Sequence, residues 1–206
     1  MPQKEMLMAR LASLLILIPI LAWASAEEGQ DASFFFPAPD GWLTETIPFP
    51  LGFAPSLAYE GLEELRFAPG MFKADQEDFW TYAFVWWVTP CPDLTPEILA
   101  RDLEVYFEGL TGAVVGDQEI DLSGAEFSCH LALPDSEPES GIWLEGTAVT
   151  FDSFVTLENI TLNVRVHLQP CPEQGRSAVI FQLSPQPYSH SVWKTLENIQ
   201  EGFHCP

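Results

Sequence analysis

The side chains in this 206-residue sequence best suited to chemistry are four histidines, four cysteines, a few arginines and an abundance of carboxylates. Their spacing matters more than their number. From Phe127 to Leu133 the apolar Phe127, Leu131 and Leu133 alternate with Ser128 and His130. From Ile160 to Leu168 a strict alternation sets Asn163, Arg165 and His167 against Leu162, Val164, Val166 and Leu168. Side chains in a strand repeat every second residue, so each segment presents one polar face. Where the two strands share a face, His130, Asn163, Arg165 and His167 form a candidate ligand-binding patch for an anion, or for a metal helped by a carboxylate. The competing use of such residues is ordinary solvated sheet surface.

Other chemistries find weaker support. No Gly-x-Ser-x-Gly elbow, His-Glu-x-x-His pair, glycine-rich phosphate loop or helix-loop-helix calcium loop occurs, so the sequence nominates no catalytic residue, resident metal or cofactor. Paired carboxylates could hydrolyse a glycoside, but 30 acidic residues offer no pair singled out by spacing. The acidic segments Lys73 to Asp78 and Pro134 to Ser140 could hold calcium, yet they lack the alternating Asp register and read as solvated loops. Asn159-Ile160-Thr161 fits a glycosylation sequon at the start of a strand. Trp80, Trp86, Trp87 and Trp143 could stack on sugars or form a protein-binding face, against their commoner use in a core.

The amino terminus decides which cysteine chemistry to expect. Lys4 and Arg10 precede an apolar run from Leu11 to Ala22, and Ala24-Ser25-Ala26 is followed by Glu27-Glu28. Charged leader, apolar middle and small-x-small site make residues 1–26 a cleavable signal peptide. The run is broken by Pro19 and falls short of the roughly 20 residues a transmembrane helix needs. No second long apolar stretch follows, so a secreted or periplasmic protein with no membrane insertion after cleavage is expected. In that oxidising setting Cys91, Cys129, Cys171 and Cys205 suggest two disulfides, with three pairings possible. Zinc is disfavoured because no two cysteines sit at ligand spacing.

Charge narrows the partners. Beyond residue 26 only Arg66, Lys73, Arg101, Arg165, Arg176 and Lys194 are basic, and the formal net charge of the chain is −22. Such a chain cannot assemble the basic surface that nucleic acid or anionic lipid requires. The partner is therefore an unknown protein or small molecule.

These residues need elements to hold them. Residues 27–55 form an extended lead-in rich in Pro and aromatics, with one strand near Trp42 to Ile47, and residues 56–206 form the domain. Strands are expected at Glu63 to Phe67 and Phe79 to Val88, the latter apolar on both faces and so central. Thr95-Pro96-Glu97 opens a helix carrying Leu99, Leu103, Tyr106, Phe107 and Leu110, with Gly109 and Gly112 as its stop. Further strands are expected at Ala113 to Leu122, Phe127 to Leu133, Ile142 to Phe151, Ile160 to Gln169 and Ser177 to Ser184, and a closing helix from Ser191 to Phe203. The expected fold is α+β: a single domain whose antiparallel-rich sheet carries two main helices against one face. Pairing the strand ending at Val88 in parallel with that starting near Ala113 puts Cys91 and Cys129 at one sheet end and Cys171 and Cys205 at the other. Cys91–Cys129 and Cys171–Cys205 are the disulfides this predicts.

Pro39-Asp40-Gly41-Trp42 at the first strand, with Trp193, Leu196, Ile199, Gly202 and Phe203 in the terminal helix, resembles the α-β-α arrangement of PsbP-like exported accessory domains. That resemblance implies a non-catalytic accessory or binding module, and it transfers no functional residue. The four cysteines depart from it. The sequence as a whole reads as an exported, disulfide-stabilised binding domain. An exported hydrolase or a metal-dependent module using dispersed carboxylates and histidines is the alternative.

Overall fold

A computed structural model describes residues 34–89, 94–134 and 142–206. Its strands are β1 (Leu43–Pro48), β2 (Glu60–Phe67), β3 (Tyr82–Thr89), β4 (Ser128–Ala132), β5 (Ile142–Phe151), β6 (Asn159–Cys171) and β7 (Arg176–Ser184). Two helices, α1 (Pro96–Val115) and α2 (Val192–Glu201), complete an α+β fold. All seven strands join one sheet in the order β1-β2-β3-β7-β6-β5-β4, and every neighbouring pair is antiparallel.

The core follows from β3, where Tyr82 to Val88 is buried without interruption. Alternate side chains enter different layers. Tyr82, Phe84, Trp86 and Val88 pack with Leu99, Leu103, Tyr106 and Phe107 of α1, whereas Ala83, Val85 and Trp87 pack with Trp193, Leu196 and Ile199 of α2. The helices therefore lie on opposite faces, not on the single face expected. A central strand apolar on both sides requires cover on both sides, and one helix supplies each.

Thr95 caps α1 as expected, its hydroxyl accepting from the Ile98 amide at 3.3 Å. The predicted end of the helix fails. α1 runs through Gly109 and Gly112 to Val115 and closes on Gly116, at φ 53°, so the strand expected at Ala113 to Leu122 does not form. Gly109 serves packing: a Cβ there would stand 2.1 Å from the carbonyl oxygen of Phe53. With that strand goes the parallel pairing, because β3 lies between β2 and β7 while β4 occupies the far edge.

Cys171 and Cys205 are joined in a disulfide across 34 residues, tying the chain terminus to the end of β6. Cys129 is a half-buried thiol on β4, and its expected partner Cys91 lies outside the described residues, as does most of the acidic segment after Pro134. The signal peptide expected at residues 1–26 also lies outside them.

The described part of the lead-in is integral to the fold. β1 forms the sheet edge beside β2, and Phe36 is buried against α2. The Arg66 guanidinium lies 4.9 Å from the Phe36 ring centre and donates to the Phe36 carbonyl at 2.7 Å, while Phe35 bridges to His204. The aromatic run thus pins the lead-in to β2 and to the α2 layer.

Candidate functional site

The register brings the polar residues of β4 and β6 to one face. His130 pairs with Thr147, and Thr147 with Asn163, which puts His130 on the side from which Asn163, Arg165 and His167 also project. This is the α2 face, since His167 pairs with Ile180 of that layer. The solvated face expected for β6 is instead partly roofed. Arg165 donates from Nε to Glu145 Oε1 at 2.7 Å and from Nη1 to Glu197 Oε1 at 2.9 Å. Its guanidinium also lies 4.6 Å from the Tyr188 ring centre and 5.3 Å from that of Trp193. An anion offered to Arg165 would have to displace two carboxylates.

The other three are disposed differently. His167 is buried, stacks on Trp143 with ring centres 4.5 Å apart, and sets Nδ1 2.9 Å from the Gln200 amide nitrogen. Burial lowers its pKa from the ordinary histidine value. Asn163 donates to the Gln186 carbonyl at 3.0 Å. His130 remains exposed on the edge strand. The four residues share a face, but three of them spend their polar atoms fixing β6 to α2 and to the segment before it.

Trp80, Trp86 and Trp87 are core residues. Asn159 of the sequon is exposed, yet its amide donates to the Gly124 carbonyl at 2.8 Å and its oxygen accepts from the Glu126 amide at 3.0 Å. It staples the loop before β4 to the start of β6.

A concave site lies elsewhere, between the β2–β3 connection and the start of α2. Trp42, Asp75, Gln76, Glu77, Asp78, His190, Ser191, Val192 and Thr195 line an open groove of about 600 Å³. The loop that carries residues 75–78 is held by its own bonds, with Lys73 N donating to Gly70 O at 2.8 Å, Gln76 N to Lys73 O at 3.0 Å and Gly70 N to Asp78 Oδ2 at 2.9 Å. Trp80 closes the loop, 1 % exposed and at φ 50°, its amide donating to Met71 O at 3.1 Å. A non-glycine residue in that left-handed region costs about 1–3 kcal/mol unless its surroundings hold it there. Here the rings of Tyr82 and Phe154 do so. His190 accepts from the Val192 amide through Nδ1 at 3.3 Å and turns Nε2 toward Glu77 Oε2, 3.7 Å away. Among the described residues, no three His, Cys, Asp or Glu side chains gather closely enough to hold a metal.

By sequence the Lys73 to Asp78 segment reads as an acidic loop, solvated or able to hold calcium, with nothing to tie it to Trp42 or His190. The groove draws on residues 42, 75–78 and 190–195, and no local spacing connects them. Glu63, named by sequence only as the start of a strand, is 0 % exposed on the α1 face. The Trp86 indole donates to Glu63 Oε1 at 3.1 Å. Desolvation pushes the pKa of this carboxyl up to about 8, against smaller opposing effects of Trp86 and Tyr106. Period two betrays it, because Glu63 alternates in phase with the core residue Leu65 and with Phe67.

No helix among the described residues is long and apolar enough to cross a membrane. Comparison with family models, curated proteins and solved structures finds no match to this chain.

Proposed function

We propose that this chain is an exported, disulfide-stabilised binding domain that acts without catalysis, and that its ligand surface is the acid-rimmed groove beside Trp42. The observation that carries this reading is the convergence of Asp75, Glu77, Asp78 and an indole on one preformed concavity. Carboxylates around an aromatic wall suit a cationic group, an amine or guanidinium on a small molecule or a basic peptide, by charge and by cation–π attraction. The net charge of −22 adds a long-range field that draws cations in. Because the loop is already braced, little ordering entropy is lost on binding.

Export rests on the leader at residues 1–26, and the Cys171–Cys205 disulfide suits an oxidising compartment. The α-β-α layering is in keeping with the resemblance to PsbP-like accessory domains. The hydrolase alternative needs a shifted carboxyl within reach of substrate. Burial raises two carboxyls, Glu63 and the half-buried Glu45 of β1; Glu63 is wholly enclosed and neither lines the groove, which favours the binding reading.

Calorimetric titration with an Arg/Lys-rich hexapeptide, and with its Gln-substituted counterpart, tests the groove. Saturable binding that weakens in the Asp75→Asn/Glu77→Gln variant and with added salt is expected. Equal binding of the neutral peptide, or no effect of the substitutions, contradicts it. Intact mass of protein recovered outside the cytoplasm tests export, with a start at Glu27 expected and a retained leader contradicting it.

A further inference from the structure

Glu63 sits where a charge cannot be tolerated. Across β1 it faces Ile47 in register, with Glu45 one step along. β3 contributes Trp86, directly opposite, and Tyr82, whose buried hydroxyl has no hydrogen-bond partner. From α1 comes Tyr106, whose hydroxyl interacts with the same carboxyl. The segment before β2 adds Tyr59, whose ring lies against Trp86 and whose hydroxyl donates a hydrogen bond to Asp102. The titratable groups around Glu63 are thus Glu45, Tyr59, Tyr82, Tyr106 and Asp102, all neutral or anionic. Arg101 pairs with Asp102 at 3.4 Å, from a side chain 70 % exposed. Glu63 Oε2 itself has no hydrogen-bond partner. An ionised carboxylate in this box would lack both a counter-ion and water, and on one side of it the sheet ends at β1, with Ile47 directly opposite Glu63 on that edge strand.

We propose that Glu63 is a proton-dependent latch: protonated, it lets β1 and the Phe49 segment close over the α1-face core, and on losing its proton it favours release of that edge strand. The direction follows from linkage. The carboxyl is raised from 4.5 to about 8 in the closed state, and in the hydrated open state it reverts toward its ordinary value. Open forms therefore shed the proton first as pH rises. Stability of the closed edge is full below about pH 4.5, declines through the window up to about 8 and levels off above it. Within that window opening becomes about tenfold more frequent per pH unit. The edge is closed in mildly acidic surroundings and loosened in alkaline ones. Once β1 leaves, β2 presents an unpaired edge that another strand could join.

Hydrogen exchange of peptides spanning β1, corrected for intrinsic chemistry, tests the latch between pH 5 and 9. Expected is an opening constant that climbs about tenfold per unit and flattens near pH 8, while the Glu63→Gln variant shows no such climb. An unchanging opening constant in the native protein, or an equal climb in the variant, overturns the proposal. Should the variant not fold, carboxyl-carbon NMR of the native protein decides. One glutamate still protonated at pH 6.5 is expected, and full ionisation of every glutamate there refutes the latch.

Discussion

Replacing Arg165 by Met decides whether the polar row on β6 holds the fold together or waits for a ligand. The methionine keeps an apolar stem beside Tyr188 and Trp193 and deletes the guanidinium. Two charge-assisted hydrogen bonds are lost, each worth about 1.5–3 kcal/mol when fully shielded. Glu145 and Glu197 are 34 % and 35 % exposed, so solvent screens both, and about 1 kcal/mol each is the fair figure. Cation–π contact with Tyr188 and Trp193 adds about 1 kcal/mol in total. A loss near 3 kcal/mol is expected, lowering Tm by about 6–12 °C for a domain of this size. Arg165→Lys should recover less than half, because an ammonium cannot bridge two carboxylates while lying flat against two rings. Urea unfolding followed by tryptophan fluorescence measures both variants. A change below about 0.5 kcal/mol for the methionine, or equal stability of the lysine variant and the native protein, would refute the structural role.

Three further outcomes are expected. Cys171→Ser with Cys205→Ser opens a loop of 34 residues, which on chain-entropy grounds costs about 4 kcal/mol, read as a lower urea midpoint. Gly109→Ala drives a methyl against the Phe53 carbonyl and should destabilise by about 2 kcal/mol or more, whereas Gly112→Ala meets no atom within 4 Å and should stabilise by about 0.5–1 kcal/mol; thermal melts separate them. Burial holds the His167 pKa below 6.5, so the unfolded chain binds this proton first as pH falls. Its contribution to stability is full above about pH 6.5 and fades below, and His167→Gln should remove that part of the pH slope in denaturation series between pH 5 and 7.5.

What could be read from the sequence was set by how local the governing physics is. β3 was legible as central because seven consecutive residues bury and no polar side chain interrupts them. The start of α1 was legible because Thr95 and Pro96 satisfy a helix terminus on their own. Its end was not, since the reason for Gly109 is the Phe53 backbone more than fifty residues away. That error displaced one strand and the parallel pairing built on it. The predicted Cys171–Cys205 bond nevertheless forms, because the last helix returns the chain terminus to the end of β6. In β6 the alternation announced two faces correctly but not what covers the polar one. Glu145 and Glu197, which neutralise Arg165, lie 20 and 32 residues from it. The groove is a tertiary product, joining one residue of the lead-in to the β2–β3 connection and the start of α2. Glu63 was there to be seen in the alternation of β2, as an acid in phase with apolar neighbours.

The claim that this fold presents an acidic groove to a cationic partner is tested most directly by backbone-amide NMR during titration with the Arg/Lys-rich hexapeptide at moderate salt. Saturable shift changes confined to Trp42, residues 75–78 and residues 190–195, and abolished by Asp75→Asn/Glu77→Gln, are the predicted result. Shifts scattered over the acidic surface without saturation, or centred on His130 and β4, would contradict it.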